Sequence, residues 1–183
     1  MDRKLLILDI DETLIYASEC PLDRSPDFIA GHYFVYRRPE LNTFLHVCEK
    51  YFNLAVWTSS NSLYANAVCS QIFHRDTVLE FLWSRERCTW RFNPNLYDYE
   101  WLKDLKKVKR IGYSLEKVLV VDDSPAKLSR NYGNLVSLKA FTGDKDDREL
   151  LLLSRYLPTL ASVVNVRTVE KRYWRNAIMK DSQ

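Results

Sequence analysis

Three uninterrupted apolar runs, Leu5-Leu6-Ile7-Leu8, Leu54-Ala55-Val56-Trp57 and Val118-Leu119-Val120-Val121, each stop at a polar cluster. A run with no polar break cannot alternate between core and solvent, so each reads as a strand buried on both faces. Stretches of helical spacing separate the runs, the pattern of a parallel sheet covered on both sides. The runs end in Asp9-Ile10-Asp11-Glu12-Thr13, in Thr58-Ser59 and in Asp122-Asp123. If the first strand continues, Asp9 and Asp11 fall on one face. Two adjacent acids at a strand end are costly unless a cation or a shared proton relieves them. A structural role gives no reason to accept that cost, whereas a Mg²⁺ site does.

The remaining segments read as follows. Ser18 to Gly31, with Pro21 and Pro26, reads as an irregular flap, and His32-Tyr33-Phe34-Val35-Tyr36 as a short strand. Arg37-Arg38-Pro39 is expected to start a helix carrying Leu41, Phe44, Leu45, Val47 and Cys48. Ser59 to Ser62 offer N-caps for a helix through about Phe73, and Leu79 to Trp83 is β-prone. Arg85 to Trp101 reads as an aromatic, hairpin-like insertion turning at Asn93-Pro94-Asn95. Ser124 is expected to cap a helix with Pro125 at its first position, and Leu135 to Leu138 is a last strand. Glu149 to Val164 is a Leu-rich helix interrupted by Pro158. A partly docked terminal helix and tail over about 166–183 follow. No Ser/Gly-rich linker divides the 183 residues, so 1–183 reads as a single domain.

Composition excludes some classes. A net charge of +3 is too mild to argue for nucleic acid without clustering on one face. Cys20, Cys48, Cys69 and Cys88 form no CxxC pair and read as buried small hydrophobes of a reducing compartment. His32, His46 and His74 lack zinc spacing. No apolar stretch approaches the roughly 18 residues of a membrane span, and Asp9 and Asp11 break any signal-peptide core. A cytoplasmic location is the default expectation, with the nucleus open for a eukaryotic chain.

In open α/β sheets, ligands bind outside the carboxyl ends of the strands. Four carboxylates meeting there would suit a hard cation, Mg²⁺ rather than zinc or copper, sharing its shell with phosphate. An Asp beside such a metal can take a phosphoryl group, and a second acid can protonate the leaving alkoxide and later deprotonate water. Neighbouring negative charge raises the second acid's pKa and the metal opposes that, so its net value stays open. Thr58 ahead of a helix N-terminus suits a phosphate, and Lys103 is a candidate for offsetting charge on the phosphoryl oxygens.

Together these residues resemble the haloacid dehalogenase (HAD) phosphatase superfamily, and more closely its small C-terminal-domain (FCP/SCP) phosphatases, also called NLI-interacting-factor-like phosphatases. Asp9-x-Asp11-x-Thr13 matches the first motif, Thr58 the second, Lys103 the third and Asp122-Asp123 the fourth. Similar wording recurs at Arg38-Pro39, Trp57-Thr58-Ser59-Ser60, Arg85-Glu86-Arg87-Cys88, Lys103-Asp104-Leu105 and Val121 to Pro125, across residues 4 to 167. The resemblance implies a Rossmann-like, three-layer HAD fold with a central parallel sheet, a small β insertion and no large cap domain. It implies that Asp9 is nucleophile and metal ligand, and that Asp11 is general acid/base and gives a backbone carbonyl to the metal. Thr58 and Ser59 would bind phosphate with Lys103, and Arg85 would lie near it. Asp123 would ligate Mg²⁺, and Asp122 would support the metal shell or Lys103.

The chain departs from the pattern in three places. The fourth motif has Asp123 where the small phosphatases often have Asn, the 14–36 flap looks shorter, and the 86–102 insertion looks longer and more aromatic. An open site without a large cap can receive a phosphorylated side chain. The expectation is therefore a Mg²⁺-dependent phosphatase for phosphoprotein or phosphopeptide, Ser/Thr with Tyr left open. A phosphatase for a small metabolite or a nucleic-acid end is the alternative, and a non-catalytic binding module the third. No membrane partner is expected, nucleic acid is disfavoured, and the oligomeric state stays open.

Overall fold

A computed structural model describes residues 3–93 and 97–180. Its centre is a five-stranded sheet built from β1 (Lys4–Leu8), β5 (Phe52–Trp57), β6 (Leu79–Trp83), β9 (Val118–Asp122) and β10 (Leu135–Ser137). The spatial order is β10-β9-β1-β5-β6 and every pairing is parallel. The three apolar runs are thus the three central strands. Alternate residues face opposite cores, as the pleat requires. Leu6, Leu8, Val56, Leu119 and Val121 join one apolar cluster, and Leu5, Ile7, Ala55, Val118 and Val120 join the other.

The two faces are covered unequally. On the first lie α1 (Leu41–Tyr51), α2 (Ser62–Ile72), α4 (Glu149–Ala161) and α5 (Trp174–Lys180). The second is closed by the short α3 (Lys106–Arg110), by Leu128 of a 3₁₀ turn, and by Trp83 and Cys88. From β1 the chain moves outward to β5 and β6, then crosses back to β9 and continues to β10 on the other side. The direction of winding therefore reverses between β1 and β9, where a crevice opens beyond the strand ends.

Several expectations need correction. The 18–31 flap contains a strand. Segments β2 (Ile15–Ser18), β3 (Phe28–Ala30) and β4 (Tyr33–Arg37) form a separate antiparallel sheet in the order β2-β4-β3. These strands are short, and one face of β4 supports the main core through Val35. The turn between β3 and β4 needs Gly31, whose φ of 64° suits a residue without Cβ. Arg37 ends β4 instead of opening a helix; α1 begins only at Leu41, after Glu40 in left-handed geometry at φ 63°. Pro158 does not interrupt α4, which runs on to Ala161. Its buried stripe of Leu150, Leu153, Tyr156, Leu157 and Leu160 holds the helix together despite the lost amide. Pro125 opens a single 3₁₀ turn, Pro125–Leu128, and the Ser124 side chain does not cap it. Cys20 is exposed, whereas Cys48, Cys69 and Cys88 are buried and free.

Other readings match the structure. The insertion is a hairpin of β7 (Thr89–Asn93) and β8 (Asp98–Leu102), pairing Trp90 with Trp101 and Phe92 with Tyr99. Pro94 and Asn95 of its expected turn lie outside the described residues, as do 181–183 of the tail. The terminal helix docks through Trp174, which is buried and donates its indole N–H to the Ser137 carbonyl at 2.9 Å. Among the described residues no helix is long and apolar enough to cross a membrane.

Candidate active site

The acidic loop after β1 lies at the point of winding reversal. The Asp9 amide continues the ladder to the Val121 carbonyl at 3.0 Å, which sets Asp9 level with the end of β9. The chain then turns sharply: the amides of Thr13, Leu14 and Ile15 all donate to the Ile10 carbonyl, and Glu12 adopts φ 55°. Because the strand stops at Leu8, Asp9 and Asp11 do not share a strand face. Their side chains have separate partners.

Asp9 is 1% exposed and meets two ammonium groups. Lys103 Nζ lies 2.8 Å from Asp9 Oδ1 and 2.6 Å from Asp122 Oδ2. Lys127 Nζ lies 3.2 Å from Asp9 Oδ2 and 4.0 Å from Asp122 Oδ1. Asp122 also accepts the Ser124 amide at 2.8 Å. Asp123 is tied to the first loop, since Thr13 Oγ1 donates to its Oδ1 and accepts its amide, both at 3.2 Å. The Ser124 hydroxyl, free of any capping role, donates to Asp123 Oδ2 at 3.1 Å.

Asp11 turns toward α2. Ser60 Oγ donates to Asp11 Oδ2 and Tyr64 OH to Asp11 Oδ1, both at 2.7 Å. Asn61 fixes that end of α2 by accepting the Tyr64 amide at 2.9 Å. Thr58 follows β5 directly; it is buried, and its Oγ1 accepts the Ser60 amide at 3.0 Å. Ser59 and Arg85 are linked by Arg85 Nε donating to the Ser59 carbonyl at 2.6 Å, with the guanidinium 5.9 Å from the Trp101 ring centre.

The electrostatics follow from this crowding. Burial pushes the Asp9 carboxyl up, but Lys103 and Lys127 outweigh it and hold the group below the ordinary range. Burial, then Asp9, raises Asp122 to about 6 against the pull of Lys103. Burial raises Asp11, opposed by the hydroxyls of Ser60 and Tyr64. Burial and the charges of Asp11 and Asp123 push Glu12 up to about 7. Lys103 is held above its usual value because Asp122 and Asp9 outweigh its burial.

Five acids thus face two lysines, and the surplus negative charge calls for a further cation. Asp9, Asp122 and Asp123 each offer a ligand atom within 4.8 Å of the others. Asp9 Oδ1 is buried and accepts no hydrogen bond in spite of its ion pair, so it keeps coordinating capacity. This all-oxygen set fits Mg²⁺. The cluster holds three carboxylates, not the four expected, because the Asp11 side chain is engaged by α2.

Sequence reasoning brought out Asp9, Asp11, Thr58, Lys103, Asp122 and Asp123, and the fold gathers them at one sheet edge. It missed Lys127 and Tyr64, and named Ser60 only within a motif and among possible helix caps. Lys127 carried a weak signal, two residues past Pro125 in a turn that brings it back over the strand ends. Tyr64 is visible as the third residue after the Asn61 cap, on the helix turn nearest the acids.

A family model described as NLI interacting factor-like phosphatase matches residues 4–167. CTD nuclear envelope phosphatase 1 of Xenopus laevis is 30% identical over 185 residues, covering 93% of this chain and 72% of that protein. The probable C-terminal domain small phosphatase of Dictyostelium discoideum is 32% identical over 174 residues, covering 91% of this chain and 53% of that protein. The solved structure of Fcp1, an essential RNA polymerase II CTD phosphatase, superposes with a TM-score of 0.59 at 16% identity. That match covers 97% of this chain and 62% of the Fcp1 chain, and it is a likeness of fold.

Proposed function

Given that this chain belongs to the NLI interacting factor-like phosphatase family, we propose that it is a Mg²⁺-dependent phosphoprotein phosphatase working through an aspartyl-phosphate on Asp9. The observation that carries the reading is the Asp9–Lys103–Asp122 arrangement. It keeps the attacking carboxylate ionised and buried at the switch point, with Thr58 just past the end of the adjacent strand.

In the first step an Asp9 oxygen attacks phosphorus while the bond to the ester oxygen breaks. Asp11 gives its proton to the departing alkoxide, which leaves as the free hydroxyl side chain. In the second step Asp11, now a carboxylate, takes a proton from water. The water oxygen attacks phosphorus, and Asp9 is released with inorganic phosphate. Thr58 and Lys103 bind the phosphoryl oxygens, aided by the amide of Ser59. Asp9, Asp123 and the Asp11 carbonyl would hold Mg²⁺, with Asp122 steadying the shell through Lys103. The ion, when bound, supplies positive charge that offsets repulsion between the Asp9 carboxylate and the phosphoryl oxygens.

A phosphorylated peptide suits this site better than a metabolite because the insertions flanking it are small. The 15–37 segment is a three-stranded sheet packed on the core and the 89–102 segment a two-stranded hairpin. One relative is named a nuclear envelope phosphatase. A nuclear or perinuclear setting is therefore included in the reading beside the cytoplasm. A panel of phosphoserine, phosphothreonine and phosphotyrosine peptides, sugar phosphates and 3′-phosphorylated oligonucleotides tests the substrate class. Preference for a peptide supports it, and preference for sugar or nucleic-acid phosphate overturns it. Asp9→Asn is expected to lower hydrolysis of an aryl phosphate by roughly 10³-fold or more while preserving the fold. Retained hydrolysis would sink the mechanism.

A further inference from the structure

Lys127 contacts the nucleophile, and no motif of the sequence accounts for it. Its Nζ sits 3.2 Å from Asp9 Oδ2 and 4.0 Å from Asp122 Oδ1, two of the three carboxylates able to hold a metal. Its backbone is fixed. The Lys127 carbonyl accepts the Lys103 amide at 2.8 Å, and the Lys127 amide donates to the Ser124 carbonyl at 3.1 Å. Its side chain is less enclosed than that of Lys103, 20% exposed against 0%. The two lysines therefore differ: Lys103 is enclosed between two acids, while Lys127 reaches over them from the rim and can swing to solvent on its four-carbon stem.

We propose that Lys127 is a tethered counter-ion that pairs with the Asp9 carboxylate while no metal is bound and leaves it when Mg²⁺ binds, so that Lys127 lowers the affinity for the metal. The inference rests on the reading of Asp9 and Asp123 as carboxylates that hold the metal. A divalent cation on that pair and an ammonium against the same Asp9 carboxylate repel strongly at such separation. The ammonium therefore moves off Asp9 as the metal binds, and each binding event has to break that ion pair. The pairing also gives Asp123 a rationale. A third acid in the cluster adds a charge that Lys127 helps to balance while no metal is present.

The test is Mg²⁺ binding by isothermal titration calorimetry, with Mn²⁺ followed by electron paramagnetic resonance, on wild type, Lys127→Met, Lys127→Arg and Asp9→Asn. Melting in EDTA is measured on the same set. Lys127→Met should bind Mg²⁺ roughly tenfold or more tightly than wild type. It should melt at lower temperature in EDTA and gain more from added Mg²⁺. Lys127→Arg keeps the charge and should stay near wild type. Unchanged or weaker binding by Lys127→Met, or equal tightening by Lys127→Arg, overturns the proposal. Asp9→Asn keeps the two failures apart. If it binds as well as wild type, the metal site itself is misassigned. If it abolishes binding while Lys127→Met changes nothing, only the role of Lys127 falls.

Discussion

Asp11, the proposed general acid, is oriented by side chains at the start of α2 and in the loop before it. Both Asp11 oxygens accept hydroxyl hydrogen bonds, from Ser60 and Tyr64, so the carboxyl cannot rotate freely toward or away from a leaving group. A poor leaving group such as a serine alkoxide needs protonation in the transition state, whereas nitrophenolate does not. Tyr64→Phe should therefore slow hydrolysis of a phosphoserine peptide by roughly tenfold or more and leave p-nitrophenyl phosphate within about twofold. Comparing kcat on the two substrates checks it, and an equal loss on both would count against orientation. At this scale legibility followed charge and order along the chain. Asp9, Thr58, Lys103 and Asp123 stand where strand ends and motif spacing put them. The division of Asp9 and Asp11 between two partner sets was hidden, because it depends on the strand ending at Leu8 and on the tight turn closed by the Ile10 carbonyl.

At the scale of elements, the junction before α1 ties the acidic loop after β1 to the rest of the fold. Arg38 is fully buried; it donates to both carboxylate oxygens of Asp147 at 2.8 Å, and to the carbonyls of Thr13 at 3.0 Å and Lys139 at 2.8 Å. One guanidinium thus connects the first acidic loop, the segment after β10 and the lead into α4. Arg38→Met leaves Asp147 and the carbonyls of Thr13 and Lys139 short of a donor. It should destabilise the protein by about 3–5 kcal/mol, read by urea denaturation. Arg38→Lys recovers little, since an ammonium cannot span the same fork. The sequence made the apolar central strands and the Asn61-capped helix legible because each is declared locally, by an unbroken run or a cap. Strands β2 and β3 were not legible. They have 4 and 3 residues, and they exist because β4 pairs with both. The continuation of α4 through Pro158 was likewise decided by tertiary packing of a buried stripe, which no local rule anticipates.

At the scale of the whole molecule, doubly wound topology concentrates negative charge at one point and offsets part of it with Lys103 and Lys127. Glu12 is raised from 4.5 to about 7 and Asp122 from 3.8 to about 6, so both bind protons more tightly folded than unfolded. Their ionisation opposes folding as pH rises through that range. Asp9 acts in the other direction, but its contribution is already present above 3.8 and is lost only on further acidification. The metal-free protein should therefore lose thermal stability between about pH 4.5 and 7, and Glu12→Gln should flatten part of that slope. Melting curves in EDTA across the range check it, and stability rising over the window would contradict it. Chain-wide order of strands could be read from alternation of apolar runs and helical segments; the unequal covering of the two faces could not, because it depends on how little helix separates β6 from β9. The covalent step at Asp9 is decided by borohydride reduction of enzyme quenched during turnover of a phosphopeptide. Reduction of an acyl phosphate converts its aspartate to homoserine, which peptide mass spectrometry locates. The account predicts homoserine at position 9 in the presence of Mg²⁺ and substrate. Full turnover with an unmodified Asp9, or with the modification at another carboxylate, would contradict it.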